Sequence, residues 1–182
     1  MDADEILRRS AARRGHFAFE SGYHGRLWLD LDLLLSEPAR IAPVVRVLAR
    51  LLRPDRPEIV CGPMSGGALV AYRVAEQLGC GFAYADRVPD TTYRIPPVMR
   101  RHCAGRRVAI VDDVVNAGSA VMATARELPD AVICAIGALL VLGDGPDVTV
   151  PLRSPARIAN ELWRPEHCPD CAAGLALEKT TP

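Results

Sequence analysis

Two adjacent carboxylates, Asp112 and Asp113, close an apolar run in Arg107-Val-Ala-Ile-Val-Asp-Asp-Val-Val-Asn-Ala-Gly-Ser-Ala-Val-Met-Ala-Thr124, and a helical pattern begins near Ser119. Paired acids accept hydrogen bonds from vicinal hydroxyls and can lie beside a magnesium ion carried by a polyphosphate. At the carboxyl end of a strand in an open parallel sheet, the amides of the next helix's first turn can hold a phosphate. Gly118 permits the close backbone approach that such a contact needs. The combination suits a ribose phosphate. The plainer alternative is that one aspartate merely caps the turn.

A phosphoacceptor receiver domain also ends an apolar strand with paired acids. That arrangement puts the pair on the first strand and requires a later lysine, whereas this pair lies in mid-chain and the one lysine, Lys179, falls in the tail. Elsewhere, Phe19 and Trp28 could stack on a planar base, although aromatics set among leucines are commonly core. Arg26 could meet a carboxylate or phosphate bidentately, or simply be solvated; Tyr23 and His24 are equally open. His167-Cys168-x-x-Cys171 supplies half of a tetrahedral zinc site, with His102 and Cys103 or a second subunit as candidate sources of the rest. A reduced cysteine pair in a turn is the simpler alternative. Arg46, Arg50, Arg53 and Arg56 read as a solvated helix side and its exit.

The elements that must position these groups follow from periodicity. Residues 3–14 carry a helical pattern, and His16–Asp32, punctuated by Gly22 and Gly25, predicts a hairpin or loop. Ser36 could cap a helix with Pro38 in its first turn, its apolar face running from Ile41 through Val44, Val45 and Leu48 to Leu52, with Pro54 and Pro57 ending it. Short apolar runs at 58–61, 80–85, 107–111 and 131–142 then alternate with helical patterns at 67–78 and 119–128. Runs that are apolar throughout and joined by helices indicate an α/β fold, an open parallel sheet with helices on both faces. The 182 residues form one domain: a core over about 37–142 and a small hood from about 1–36 and 143–182. The polar connection 86–105 is longer than an ordinary link and reads as a lid or a disordered segment.

Charge sets limits on partners. The 22 basic and 22 acidic residues cancel, which leaves no global field to recruit nucleic acid or an anionic membrane. No apolar run reaches the length of a membrane span, and residues 1–10 lack a signal peptide's apolar centre, so a cytoplasmic location is expected. The six cysteines are scattered, and Cys61, Cys80, Cys103 and Cys134 sit beside apolar or glycine residues, where a thiol packs as a small hydrophobe.

Asp112-Asp113-Val114-Val115-Asn116-Ala117-Gly118-Ser119-Ala120 is similar to the phosphoribosyl-diphosphate (PRPP) motif of type I phosphoribosyltransferases, most of all its form in orotate phosphoribosyltransferases. Three further stretches resemble that family. Phe19–Asp30 is similar to its N-terminal substrate loop, Cys61–Ala71 with Met64, Ser65, Gly66 and Gly67 to its pyrophosphate loop and following helix, and Trp163–Gly174 to the tail of some members. The resemblance spans roughly residues 16–174.

It implies transfer of 5-phosphoribose from PRPP to a nucleobase, orotate preferred, with release of pyrophosphate, Mg2+ as cofactor and a homodimer in which one lid completes the neighbouring site. By the same resemblance, Arg87 and Arg94 join Asp112 and Asp113 in catalysis, while Arg26 and Trp28 bind the base. The chain departs from the family pattern where its lid offers Arg87, Arg94, Arg100, Arg101 and His102 in place of lysines and a histidine. Asn116 also stands where a threonine contacts orotate. A phosphoribosyltransferase for another base, or a PRPP-binding regulatory protein without transferase activity, is the alternative.

Overall fold

The computed structural model describes residues 11–19, 21–89 and 92–179. The chain opens with a hairpin of β1 (Ala11–Ala18) and β2 (His24–Asp30), followed by a single turn of helix, α1 (Asp32–Leu35), and by α2 (Pro38–Leu52). A repeating unit then begins: β3 (Ile59–Pro63), α3 (Gly66–Leu78), β4 (Gly81–Val88) and a short antiparallel return, β5 (Thr92–Arg94). Next come α4 (Pro97–Cys103), β6 (Arg107–Val115), α5 (Ser119–Arg126) and β7 (Val132–Leu142). The end of the chain contributes β8 (Leu152–Arg153), β9 (Arg157–Ile158), β10 (Leu162–Trp163), α6 (Pro169–Ala172) and β11 (Glu178–Lys179).

Strands β4, β3, β6 and β7 pair in parallel in that order, as the uninterrupted apolar runs require. β3 is buried along its whole length, and β7 from Cys134 onward. The two faces carry separate apolar layers. On one, α2 and α3 pack Val44, Leu48, Leu52, Val70 and Val74 against Val60, Val111 and Leu139. On the other, Tyr93, Ile95, Cys103 and Val121 cover Ile59, Cys61, Val108 and Ile110. A second sheet, ordered β10-β2-β1-β11, is made wholly from the two ends of the chain. None of the described helices is long and apolar enough to cross a membrane.

Several expectations change here. Residues 11–14 are strand instead of helix, because pairing with Leu27–Asp30 satisfies their backbone groups across the hairpin; residues 3–10 lie outside the described residues. Glu37, not Ser36, precedes α2, and no side chain caps it; Pro38 at the first position needs no amide acceptor. The described residues of the 86–105 connection are folded, with Tyr93, Ile95 and Cys103 in the core. Residues 152–158 extend the main sheet beside β7. Their apolar positions are too few for periodicity to separate them from a wrapping loop.

Candidate active site

Strand order places the crevice. From β3 the chain moves one way to β4, then crosses back to lay β6 on β3's other side, so the order reverses between β3 and β6. In open α/β sheets, that reversal leaves a gap at the carboxyl ends of the strands where ligands bind. A cavity of about 350 Å³ lies there.

The floor comes from β6. Val114 and Val115 continue the strand beyond the acids, paired with Leu140 and Val141, so the turn proper is only Asn116–Gly118. Asp112 Oδ1 accepts the Asp113 amide at 2.9 Å, and Asp113 Oδ1 accepts the Val114 amide at 2.8 Å. Each carboxylate is thus steadied by the amide that follows it and turned into the cavity. Burial pushes the Asp113 carboxyl above the usual carboxylate range. Hydrogen bonds with Asp112 and backbone amides oppose this, and the negative charge of Asp32 adds to it.

Glycines bring the neighbouring loop down onto these acids. A Cβ at Gly66 would run into Asp113 Oδ2, and one at Gly67 would lie 2.5 Å from Asp112 Oδ1 and 2.8 Å from Pro63 Cδ. The start of α3 therefore rests directly on the carboxylates. Its first-turn amides have no intrahelical acceptor and face incoming anions. The Met64 amide is committed elsewhere, to the Ala85 carbonyl at 2.8 Å, which leaves Ser65, Gly66 and Gly67 as the loop's anion-facing amides. Gly118, at φ +82°, opens α5 on the other side of the cavity, with Pro146 packed where its side chain would be. Asn116 Oδ1 is buried and has no hydrogen-bond partner among the described residues, which suits an acceptor held for a ligand.

The hood forms the roof. Phe19, Ser21, Trp28, Leu29 and Leu31 line the upper wall. Of the predicted groups, Asp112 to Ala120, Met64 to Gly67, Trp28 and Arg87 meet in this one cavity. Arg26 and Arg94 do not. Arg26 makes a bidentate pair with Asp170, at 2.9 and 2.6 Å, and lies over the Trp163 ring. Arg94 is exposed on β5, and Arg100 pairs with Glu127 at 2.7 Å. Asp32 and Tyr93 line the cavity without having been singled out, since neither sits in a motif. Among the described residues, the lining holds three acidic residues, Asp32, Asp112 and Asp113, against one basic residue, Arg87.

Neither His102 nor Cys103 joins Cys168 and Cys171: His102 is exposed on α4, and Cys103 is buried in the core. His167 is exposed as well. Burial pushes the Cys61 thiol strongly up, as befits a packed, unreactive group.

A crevice at the switch point, walled by two helix N-termini and floored by paired carboxylates, defines an open α/β protein of the kind that binds phosphorylated sugars. The phosphoribosyl transferase domain matches residues 31–162, and the chain belongs to that family. Among curated relatives, it is 32% identical to the orotate phosphoribosyltransferase of Caldanaerobacter subterraneus subsp. tengcongensis, covering 98% of this chain and 97% of that one. It is 33% identical to the orotate phosphoribosyltransferase of Heliobacterium modesticaldum, over 96% and 94% of the two chains. The crystal structure of orotate phosphoribosyltransferase from Aeropyrum pernix superposes with a TM-score of 0.66 at 24% identity, covering 86% of this chain and 93% of that one.

Proposed function

We propose that this protein transfers 5-phosphoribose from PRPP to orotate, releasing pyrophosphate. The observation that carries the reading is the carboxylate pair held between the N-termini of α3 and α5 in one cavity. The amides of Ser119 and Ala120 hold the 5-phosphate, while Asp112 and Asp113 accept hydrogen bonds from the ribose hydroxyls. The Ser65–Gly67 turn and Arg87 receive the pyrophosphate, and the wall of Phe19 and Trp28 covers the base and excludes water from the sugar cation formed as the C1–O bond breaks.

The donor set fits magnesium, for three carboxylates in one cavity suit a hard dication. Asp112 and Asp113 would hold it together with PRPP, and its charge would supply neutralisation for the departing pyrophosphate. The setting is cytoplasmic, which the buried free thiols Cys61, Cys103 and Cys134 suit.

With PRPP and magnesium, orotate should drive pyrophosphate release, whereas uracil and adenine should not. Turnover of a neutral base in preference to orotate would overturn the base assignment. PRPP binding without release for any base would leave a PRPP-binding protein that is not a transferase.

One arginine is little positive charge for a pyrophosphate, and Arg94 and Arg101 are exposed beyond the cavity. The working unit is therefore a homodimer in which these arginines reach the neighbouring site. Mixing an Arg94→Ala protein with an Asp113→Asn protein should restore about a quarter of wild-type activity, because half of the dimers are hybrids with one intact site. A monomeric mass in solution, or no recovery on mixing, would refute the shared site.

A further inference from the structure

Four side chains that the transfer reaction does not use converge in the hood. His16 on β1, His24 at the start of β2, Cys168 before α6 and Cys171 within it bring one ligand atom each to within 4.8 Å of all the others. We propose that they bind a structural zinc ion. The four residues lie outside the span matched by the family domain, and the proposal stands independently of the reaction.

The spacings are those of a coordination shell. Tetrahedral zinc with bonds of about 2.0–2.1 Å to nitrogen and about 2.3 Å to sulfur sets its ligand atoms roughly 3.3 Å apart for two nitrogens and roughly 3.5 Å apart for nitrogen and sulfur. Here His16 Nε2 lies 3.2 Å from His24 Nδ1, 3.3 Å from Cys168 Sγ and 3.6 Å from Cys171 Sγ, and Cys171 Sγ lies 3.3 Å from His24 Nδ1. Two sulfurs and two nitrogens in a tetrahedron select zinc among the common divalent ions.

The hydrogen-bond inventory points the same way. His16 Nδ1 is 3.1 Å from the Leu175 carbonyl, so that nitrogen carries the proton and donates it, and Nε2 keeps a single lone pair. Three groups crowd that one lone pair, of which hydrogen bonding could serve one. A metal at their centre serves all of them together. His16, His24 and Cys168 are buried, at 5%, 6% and 3% exposure, so leaving them mismatched is costly. Two thiolates balance the charge of the dication, each thiol giving its proton to the solvent on binding.

Both sides of the site are built to present these atoms. On β2, residues two apart share a face, so His24 and Arg26 point together toward the Cys168–Cys171 turn. Asp170, inside that turn, holds Arg26 through two hydrogen bonds. Zinc and the ion pair thus form adjacent fastenings between the hairpin and the C-terminal segment. With four protein ligands and no open position, the ion's role is structural.

Protein purified in reductant without chelator should carry one zinc per chain by mass-spectrometric metal analysis. Cobalt added to stripped protein should give the intense visible bands of a tetrahedral thiolate site. Cys171→Ser, at the exposed ligand, and Cys168→Ser/Cys171→Ser should each lose at least tenfold in zinc affinity, the single variant weakening the cobalt–thiolate bands and the double variant abolishing them. Circular dichroism checks that each variant is folded. Chelation should lower the wild-type unfolding temperature and leave the double variant unmoved. Wild-type protein without zinc and without cobalt bands, a Cys168–Cys171 disulfide persisting in reductant, or zinc retained by the double variant would overturn the proposal.

Discussion

Replacing both Asp112 and Asp113 by asparagine should weaken PRPP binding about a hundredfold to ten-thousandfold, since hydrogen bonds to charged groups each contribute about 1.5–3 kcal/mol. The fold should survive. Asparagine keeps the side-chain oxygen that accepts the amide of Asp113 in one case and Val114 in the other, so the local backbone retains its partners. Neutral asparagine also removes the burial of charge that raises the Asp113 carboxyl, and with it the smaller repulsion from Asp32. The unfolding temperature should stay level or rise while titration calorimetry shows the loss of PRPP binding. Unchanged PRPP affinity in the folded double variant would remove the carboxylates from the site.

Gly62→Ala should damage stability and binding together. The added Cβ would lie 2.6 Å from the Gly67 carbonyl carbon and 2.8 Å from the Ala68 nitrogen, and backbone cannot swing aside as a side chain can. Overpacking of this kind costs about 1–3 kcal/mol, a fall of roughly 2–12 °C in unfolding temperature for a chain of this size. The only relief is to push the start of α3 off the carboxylates, so PRPP affinity should fall at least tenfold. Gly79→Ala is the contrast: at φ +69° it is strained, yet nothing lies within 4 Å of its Cβ at the far end of α3. It should lose stability and keep PRPP affinity. Native affinity in Gly62→Ala would mean that this close approach does not place the turn.

The site's floor was legible because its signals are local. An apolar run, two acids, a glycine and a helix start occupy consecutive positions, and the parallel sheet fixes where such a turn must open. The roof was not. His16 and His24 are separated in sequence from Cys168 by more than the length of the core, and no helical or strand period links them, so the half-site at Cys168 and Cys171 had no visible complement. Arg26 reads as a substrate cation only while Asp170 is unseen; the pairing across the hood decides it. Residues 11–14 misled by periodicity, because a strand with its partner present overrides a short helical pattern.

That small sheet has a consequence for the order in which the molecule is made. β1 and β2 leave the ribosome before every other strand described, but their flanking strands, Leu162–Trp163 and Glu178–Lys179, follow only after β9. The main sheet can close once β9 has emerged, whereas the hairpin must wait with both edges bare, and bare strand edges invite pairing with other chains. The floor of the cavity is thus complete on a nascent chain that still lacks the flanks of its roof, and a chain cut after Ile158 would stay in that condition permanently.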